Sequence, residues 1–478
     1  MASARGAPER RGFSEAVGLY GPLLLALYFV ATTRWGSYLL PGPPYIGDIA
    51  LAGLVAHRAW TLFRKGTPTP LLSWTLTLPA TLLLLLSAAT LATGELSADG
   101  LRDAAPYFYA ILMLFGQSYR AISPRVAERL VFGALLILIT WYSAVDLFPG
   151  LASEVTVPGG DDVFLFGQRG DISGALIGVL AALALDRVLV GRNVWLNAGL
   201  AAWALVVVLS NQSRSAMLAT VLCFALIGLR QLLLEGRRRS GAGAIPALLR
   251  ANAGVALAVL VAIPLAFTVL SGTPEALDRS VNVVRGSGAE DDVQDGGVQD
   301  GGGTRPIYGT NSGVGTFTAR KDAWAEIVDW INRDGASRAL LGVGFGPHYL
   351  QLSGGDVLLL GPLADPDVRA AHNFGVNTWA RLGAIGLLLI TSIFALALIA
   401  ALRLAIRSRT PPLLDLFAAL LVIAIPTTAL LGVVLESPFG AIPYFWAVGY
   451  LGARMVEEGL WRRVPMPAWL MRQGAAPQ

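Results

Sequence analysis

The chain has 478 residues, of which 54% are hydrophobic and only 14% charged, and its net charge is +4. An average soluble domain is roughly 25% charged, so this composition excludes a water-soluble fold and favours the bilayer as the solvent. Nothing in the sequence supports nucleic-acid binding. The single cysteine, Cys223, lies inside an apolar run, so disulfide bonds cannot cross-link the exposed loops.

Apolar runs near the roughly 20 residues that an α-helix needs to cross a bilayer predict twelve transmembrane helices. In chain order they cover residues 15–33, 46–63, 70–92, 104–120, 126–148, 169–190, 194–210, 215–234, 248–271, 371–402, 412–435 and 440–458. We expect the first helix to be retained, because its apolar run is long for a signal sequence and lacks a clear small-x-small cleavage site. The predicted fold class is therefore an all-α polytopic membrane protein.

The distribution of arginine and lysine predicts how these helices are oriented. Basic clusters occur in alternate connections, which the positive-inside rule assigns to the cytoplasm. These clusters are Arg5, Arg10 and Arg11; Arg64 and Lys65; Arg120, Arg125 and Arg129; Arg187 and Arg192; Arg230, Arg237 to Arg239 and Arg250; Arg403, Arg407 and Arg409; and Arg462 and Arg463. We predict a bacterial inner (plasma) membrane protein with both termini inside.

Three regions follow from this topology: residues 1–271 with the first nine helices, a large outer loop at 272–370, and residues 371–478 with the last three helices and a cytoplasmic tail. The outer loop contains fourteen Asp or Glu against eight Lys or Arg. Its Gly-rich, acidic part at 287–303 is predicted to stay mobile. Residues 319–333 are predicted to form an amphipathic helix on the outer membrane surface, because Ala323, Ile327 and Ile331 recur at helical spacing.

Two arginines are candidates for binding an anion on the outer face. Arg214 follows a short polar turn between two predicted spans, and Arg320 opens the amphipathic helix of the outer loop. Arg214 could instead snorkel to lipid headgroups, and Arg320 could simply lie on a solvated helix face. Together they could hold a pyrophosphate, because the guanidinium fork makes bidentate charge-assisted bonds.

His372 begins the tenth predicted span on the outer face. An imidazole with an ordinary pKa near 6.5 could accept a proton from a sugar hydroxyl there, although a histidine that only hydrogen-bonds at a helix start is the simpler alternative. Further candidate substrate contacts are its neighbour Asn373, Glu436 at the end of the eleventh span, and Arg169 at the start of the sixth. Arg169 could equally form a local pair with Asp171. The adjacent acidic pair Asp161-Asp162 could bind a divalent metal, but it has no nearby histidine or third acidic residue to complete the ligand set, so we predict no metal.

Four short strings in this order resemble the O-antigen ligase and O-antigen polymerase family of bacterial envelope membrane proteins. They are Ser213-Arg214-Ser215-Ala216, Arg320 to Trp324, Leu341-Gly342-Val343-Gly344-Phe345-Gly346, and His372-Asn373 followed by Gly383 and Gly386. The resemblance covers about residues 160 to 440. The N-terminal third is similar only in having hydrophobic helices.

The resemblance implies a glycosyltransferase of the GT-C type that works on the outer face without a metal or cofactor. Its donor is implied to be a polyprenyl-pyrophosphate-linked glycan, whose pyrophosphate Arg214 and Arg320 engage, with His372 as the base. One departure is that Arg381 stands where the family often has an acidic residue. A carboxylate that orients the histidine is then absent or comes from elsewhere, for example from Glu436.

Alternatives remain open at this point. The acceptor is lipid A core if the protein is a ligase, or another lipid-linked glycan if it is an O-antigen or exopolysaccharide polymerase. A polysaccharide transporter or flippase would also have many helices and buried arginines. It predicts ionisable residues near the midplane of several spans and related halves, whereas the notable residues here gather at one rim.

Overall fold

The computed structural model describes residues 13–37, 45–62, 70–94, 97–116, 119, 122–148, 156–157, 160–164, 166, 169–211, 213–238, 314–333, 335–360, 368–407 and 411–465. The predicted span at 248–271 and the predicted mobile segment at 287–303 lie outside these residues. Within them the structure is mostly helical, as the apolar periodicity predicts.

The helices are numbered in chain order over the described residues. They are α1 (Phe13–Thr32), α2 (Ile46–Leu62), α3 (Trp74–Thr93), α4 (Ala98–Phe108), α5 (Pro124–Leu147), α6 (Gly170–Leu189), α7 (Val194–Ser210), α8 (Arg214–Arg238), α9 (Val314–Arg333), α10 (Ala336–Leu341), α11 (Tyr349–Ser353), α12 (Gly355–Leu360), α13 (Phe374–Arg407), α14 (Leu413–Ala429) and α15 (Pro438–Glu457). Short 3₁₀ helices occur at Trp35–Ser37 and Tyr109–Phe115. A small antiparallel pair, β1 (Thr156–Val157) and β2 (Gly160–Phe164), departs from the all-helical prediction.

Five helices of the described part are long and apolar enough to cross a membrane: α3, α5, α6, the Arg214–Gln231 part of α8, and α13. Three shorter apolar helices are Ala16–Thr32, α7 and α14. On α3 and α13 the apolar side chains Leu82, Leu85 and Leu388 are exposed on the protein surface. Apolar surface of this kind is what hydrocarbon would cover, so these helices are those of a membrane protein.

Two predicted spans differ from the helices that form. The predicted helix at 104–120 is instead α4 followed by the 3₁₀ helix Tyr109–Phe115, which ends at Gly116 with φ of 53°. The predicted helix at 412–435 ends at Ala429, and residues 430–437 form a turn before α15. Both departures matter because each of these irregular segments contributes side chains to one cavity.

Helices α6 and α15 form the centre of the bundle. All side chains of α6 between Ile172 and Arg187 are buried, and α6 packs against α5, α7, α8 and α14. Small residues allow this close packing: a Cβ placed on Gly174 would lie 2.8 Å from Cβ of Ala216 on α8. Close backbone approach through small residues is typical of helix packing in membranes.

The bundle has two chemically different ends. At one end, Arg454 Nε lies 2.9 Å from Asp415 Oδ1, and Arg230 pairs with Asp186. At the other end α6, α8, α13 and α15 begin while α7 and α14 end. Most of the residues singled out from the sequence lie at this second end.

The predicted amphipathic helix forms as α9, beginning at Val314 rather than at residue 319. The face carrying Ala323, Ile327 and Ile331 is fully buried, as its spacing predicts. It packs against protein rather than lipid, in a cluster with Tyr349, Leu350, Ala371 and Ala380. This face is covered by residues of the outer segment and of α13. The location of α9 on the outer membrane surface stays a prediction.

The predicted helix at 371–402 forms as α13, which is broken at Gly383. Gly383 has φ of 64° and ψ of −168°, a conformation that only glycine adopts readily. The break exposes backbone acceptors, and the outer segment supplies their donors: Val343 N–H donates to Ala380 O at 2.8 Å and Gly344 N–H to Arg381 O at 3.1 Å. The glycine-rich string at 341–346 is thus the partner of the helix break.

Candidate functional site

Helix α9 brings two separate segments together through one of its faces. Arg320 and Trp324 are four residues apart and therefore project from the same side of the helix. Arg320 Nη1 donates to Leu431 O, in the turn after α14, at 2.8 Å, and Trp324 Nε1 donates to Ala371 O at 2.6 Å. The helix is thereby fixed between the 430–437 turn and the residue before His372.

His372 is held in a left-handed backbone conformation with φ of 54°. On one side Ala371 N–H donates to the Tyr349 hydroxyl at 2.9 Å, and on the other Asn373 Oδ1 accepts from Val376 N–H at 3.1 Å and so caps α13. Non-glycine residues in this region carry strain and tend to occur at functional sites. The surrounding hydrogen bonds therefore hold His372 in a strained backbone conformation.

The electrostatic surroundings of His372 favour the neutral imidazole. The pKa of His372 is lowered to about 4, chiefly by burial and then by the positive charges of Arg320 and Arg169, while Asp171 raises it. Burial is also the main cause that lowers the pKa of Arg320. Near neutral pH the imidazole is unprotonated and can accept a proton.

Arg169 and Asp171 lie at the start of α6 and form the local pair that the sequence suggested. Arg169 Nη2 is 3.2 Å from Asp171 Oδ2, and the Arg169 guanidinium lies 5.8 Å from the centre of the Phe439 ring. A Cβ placed on Gly432 would be 2.7 Å from Asp171 Oδ2, so the 430–437 turn passes directly over this pair. Besides this pairing with Asp171, Arg169 contributes to the wall of the cavity described below.

Glu436 ends that turn and lies on the same cavity. Both of its carboxyl oxygens are shielded from solvent, and neither has a hydrogen-bond partner among the described residues. The pKa of Glu436 is raised to about 8, chiefly by burial; its own backbone N–H and Arg169 lower the pKa, and Asp171 raises it. The side chain is therefore a carboxylic acid near neutral pH.

Several of these residues line one cavity of about 730 Å³. Its polar lining includes Arg169, His372 and Glu436, and its apolar lining comes from one face each of α2 and α4. The apolar residues are Leu51, Ala52 and Val55 on α2 and Leu101, Ala105, Phe108 and Ile111 on α4 and the following 3₁₀ helix. A space of this size and mixed polarity is typical of a binding site for an amphiphilic small molecule.

Arg320 is not part of this lining, although its positive charge lowers the pKa of His372. Arg214 is not part of it either. It is the first residue of α8, at the same end of the bundle, and its side chain is exposed. Its neighbour Asn211 connects this region to the site, since Asn211 Nδ2 donates to Gly170 O and the Tyr142 hydroxyl donates to Asn211 Oδ1 at 2.6 Å. The structure thus brings His372, Arg169 and Glu436 to one cavity, places Arg320 within electrostatic reach of His372, and leaves Arg214 at the adjoining surface.

Arg381 holds the outer segment in place. It is buried, its Nη2 lies 2.8 Å from Asp103 Oδ2 on α4, and its Nη1 donates to Pro347 O at 2.5 Å. Arg369 Nη2 lies 2.9 Å from the same Asp103 oxygen. A carboxylate at position 381 would face Asp103, so the arginine here suits its local partners.

The sequence interpretation missed several polar residues of the cavity. The most connected are Asp103, and Asp48 on α2, which accepts a hydrogen bond from the Tyr109 hydroxyl at 2.5 Å. Asp48 could be noticed as the one acidic residue of the mostly apolar α2, whereas Asp103 lies in a helix that also contains Asp99 and Arg102 and does not stand out in the sequence. Across the described residues, no three His, Cys, Asp or Glu side chains are grouped so as to hold a metal ion.

No model of a known protein family matches the chain, and a search of curated proteins gives no match either.

Proposed function

We propose that this protein is a membrane glycosyltransferase of the O-antigen ligase type, which transfers a glycan from a polyprenyl-pyrophosphate donor to an acceptor hydroxyl without a metal. The observation that carries the proposal is the joining, in one cavity, of a neutral imidazole, a guanidinium group and an apolar wall. Such a cavity suits a substrate with a lipid tail, a doubly charged linkage and a sugar.

The donor would occupy the cavity along its polarity gradient. The apolar faces of α2 and α4 suit an isoprenoid chain, since burial of its apolar surface against these helices favours binding. Arg169 and Arg320 suit the pyrophosphate, because arginine binds phosphate oxygens in a bidentate manner. Arg214, the other arginine of the family resemblance, would reach the linkage from the adjoining surface.

The transfer step needs one base and one stabilised leaving group. The acceptor hydroxyl oxygen attacks the anomeric carbon and its proton passes to a ring nitrogen of His372. The bond from the anomeric carbon to the phosphate oxygen breaks, and the polyprenyl pyrophosphate leaves with the electron pair. Arginines aimed at the developing charge stabilise this departure, and attack from the opposite face inverts the anomeric centre.

Binding of the donor would itself strengthen the base. In the empty cavity the positive charges of Arg320 and Arg169 hold the pKa of His372 down. A pyrophosphate that pairs with these arginines offsets their charge and adds negative charge beside the imidazole, which raises the pKa of His372. The base is then most effective when the leaving group is in place.

The orientation of the site follows from charge distribution. The bundle end opposite the cavity carries Arg187 and Arg230 and adjoins the basic connections of the sequence. The positive-inside rule assigns that end to the cytoplasm, which supports a cavity on the outer, periplasmic face. Twelve spans and a GT-C-like arrangement of the bundle belong to the same proposal.

The experiment uses purified protein in nanodiscs with a labelled polyprenyl-pyrophosphate glycan. A ligase forms product only when lipid A core acceptor is added, whereas a polymerase lengthens glycan chains without it. The test variant is His372→Asn, because asparagine tolerates the left-handed backbone conformation at this position. The matched control is His348→Asn, since His348 lies off the cavity and asparagine preserves its role as a helix cap.

We expect His372→Asn to lose about 10²- to 10⁴-fold in kcat, the usual contribution of a general base, while His348→Asn stays near wild type. Full activity of His372→Asn would exclude this mechanism. Movement of the labelled lipid across the bilayer with no new glycosidic bond would exclude the enzyme and favour a transporter or flippase.

A further inference from the structure

Helix α10, at Ala336–Leu341 of the outer segment, carries two exposed leucines. Leu340 is 50% exposed and Leu341 is 49% exposed. The backbone of the same two residues touches the break in α13, because a Cβ placed on Gly383 would lie 2.2 Å from the Leu340 carbonyl carbon and 2.4 Å from Leu341 N. A pair of large apolar side chains held together at the surface indicates a partner that covers it.

The break in α13 shows the height of this pair relative to the bilayer. From Gly383 to Arg407 the helix would be about 36 Å long at 1.5 Å per residue, close to the roughly 30 Å of hydrocarbon that a transmembrane helix crosses. The exposed apolar side chains of α13 begin directly after the break, at Ile385 and Leu388, and Leu388 is 68% exposed. Hydrocarbon would cover these side chains, so α10 lies where the helix enters it.

Helix α3 gives the same height independently. Its 20 residues span about 30 Å, from Trp74 to Thr93. The chain that follows α10 meets the last turn of this helix, since a Cβ placed on Gly344 would lie 3.5 Å from Thr90 Cγ2. The outer segment therefore contacts both helices at the level where they leave the hydrocarbon.

Two tryptophans flank α10. Trp379 Nε1 donates to Ala339 O at 3.2 Å, and the Arg338 guanidinium lies 4.6 Å from the centre of the Trp330 ring. Tryptophan is enriched at membrane–water interfaces, because most of the indole is apolar while its N–H forms hydrogen bonds. The surroundings of α10 are therefore those of a helix at this interface.

We propose that α10 is an interfacial anchor whose Leu340 and Leu341 insert among the lipid acyl chains of the leaflet at the cavity end of the bundle. Apolar side chains on a helix in the interface plane gain stability by leaving water. The sequence assigns residues 272–370 to an outer loop, so this anchor adds a membrane contact that the count of spans does not contain. The inference does not depend on the proposed glycosyl transfer.

The anchor is tied to the wall of the cavity through the break that it touches. Directly after α10, Val343 N–H donates to Ala380 O and Gly344 N–H to Arg381 O. Arg381 and the nearby Asn377 line the cavity. Insertion of the two leucines therefore holds the broken part of α13 in place and keeps the cavity at the level of the lipid headgroups.

The experiment measures where the two side chains lie in liposomes of phosphatidylethanolamine and phosphatidylglycerol. The full chain carries Cys223→Ala, which removes its single, buried cysteine, and one new cysteine labelled with a nitroxide. The test variants are Leu340→Cys and Leu341→Cys. The lipid-facing control is Leu388→Cys on α13, and the aqueous control is Asp322→Cys at an exposed position of α9.

Oxygen concentrates in hydrocarbon, whereas the nickel complex Ni(II)-EDDA concentrates in water. We expect oxygen to relax the nitroxide more strongly than the nickel complex does in both test variants and in the lipid-facing control, with the order reversed in the aqueous control. A reversed order in either test variant would overturn the inference, because that leucine would then face water. Labels that neither reagent reaches, or that broaden each other's spectra, would overturn it in favour of a protein partner or a second copy of the chain.

A second measurement tests whether the anchor holds the break. The double substitution of Leu340→Ser and Leu341→Ser should speed hydrogen exchange of the Val343 and Gly344 amides, which bond to the broken part of α13. The matched control is Leu352→Ser, since Leu352 is also exposed but lies on α11. Equal exchange rates in the double variant and the wild type would overturn the coupling of the anchor to the cavity wall.

Discussion

The low proton affinity of His372 can be tested directly, since the chain has only three histidines. The pKa of His372 is lowered from its ordinary value of 6.5 to about 4, chiefly by burial and then by Arg320 and Arg169. This difference corresponds to about 3 kcal/mol that disfavours the imidazolium in the folded protein.

The sign of the resulting pH dependence follows from proton counting. Between pH 4 and 6.5 the unfolded chain binds a proton at this position and the folded protein does not. The contribution of His372 to stability is therefore constant above pH 6.5, and it falls by up to about 3 kcal/mol as the pH drops to 4. His372→Asn should remove this loss of stability on acidification.

The substitution Arg320→Met isolates the contribution of this positive charge to the lowered pKa of His372. Removal of this cation should raise the pKa of His372 towards 6.5 without reaching it, because burial is the larger cause and remains. The matched control on the same helix is Arg333→Met, since the Arg333 side chain is 64% exposed and pairs with Glu326. This control should leave the imidazole titration unchanged.

The assay is NMR of protein labelled with ¹⁵N and ¹³C only in histidine, in nanodiscs, with His372→Asn used to assign the signal. A transition near pH 6.5 in substrate-free wild type would refute the buried, positively surrounded imidazole. Addition of inorganic pyrophosphate should raise the pKa of His372, and a pKa that is unchanged at saturating pyrophosphate would refute the coupling between the arginines and the base.

Two further predictions concern the segments that support the site. Gly383→Ala should lower the free energy of unfolding by about 3 kcal/mol or more, because the residue has φ of 64° and an added Cβ would collide with the backbone of Leu340; the thermal midpoint in detergent measures this, and Gly133→Ala, at an open helical site, should change it little. Asp103→Asn should destabilise by about 3 to 5 kcal/mol because it leaves the buried Arg381 without its carboxylate. If the outer segment resists proteolysis equally in wild type and in Asp103→Asn, the pairing of Asp103 with Arg381 is contradicted.

The sequence by itself determined the helical class and most helix positions. Apolar runs are a local property, so α7 forms at Val194–Ser210 where its run predicts it. The buried face of α9 could be predicted for the same reason, since residues three and four apart share one side of a helix. The candidates His372 and Arg320 were also visible, as charged or titratable residues beside apolar runs.

Only the tertiary structure decided which of these residues share a cavity. Spacing along the chain predicts the face of a helix but not the neighbour across from it. Arg169 and Glu436 come together with His372 through the turn at 430–437, while Arg214 points to the exposed surface. The pairing of Arg381 with Asp103 joins residues 278 positions apart in the chain, so no local pattern could predict it.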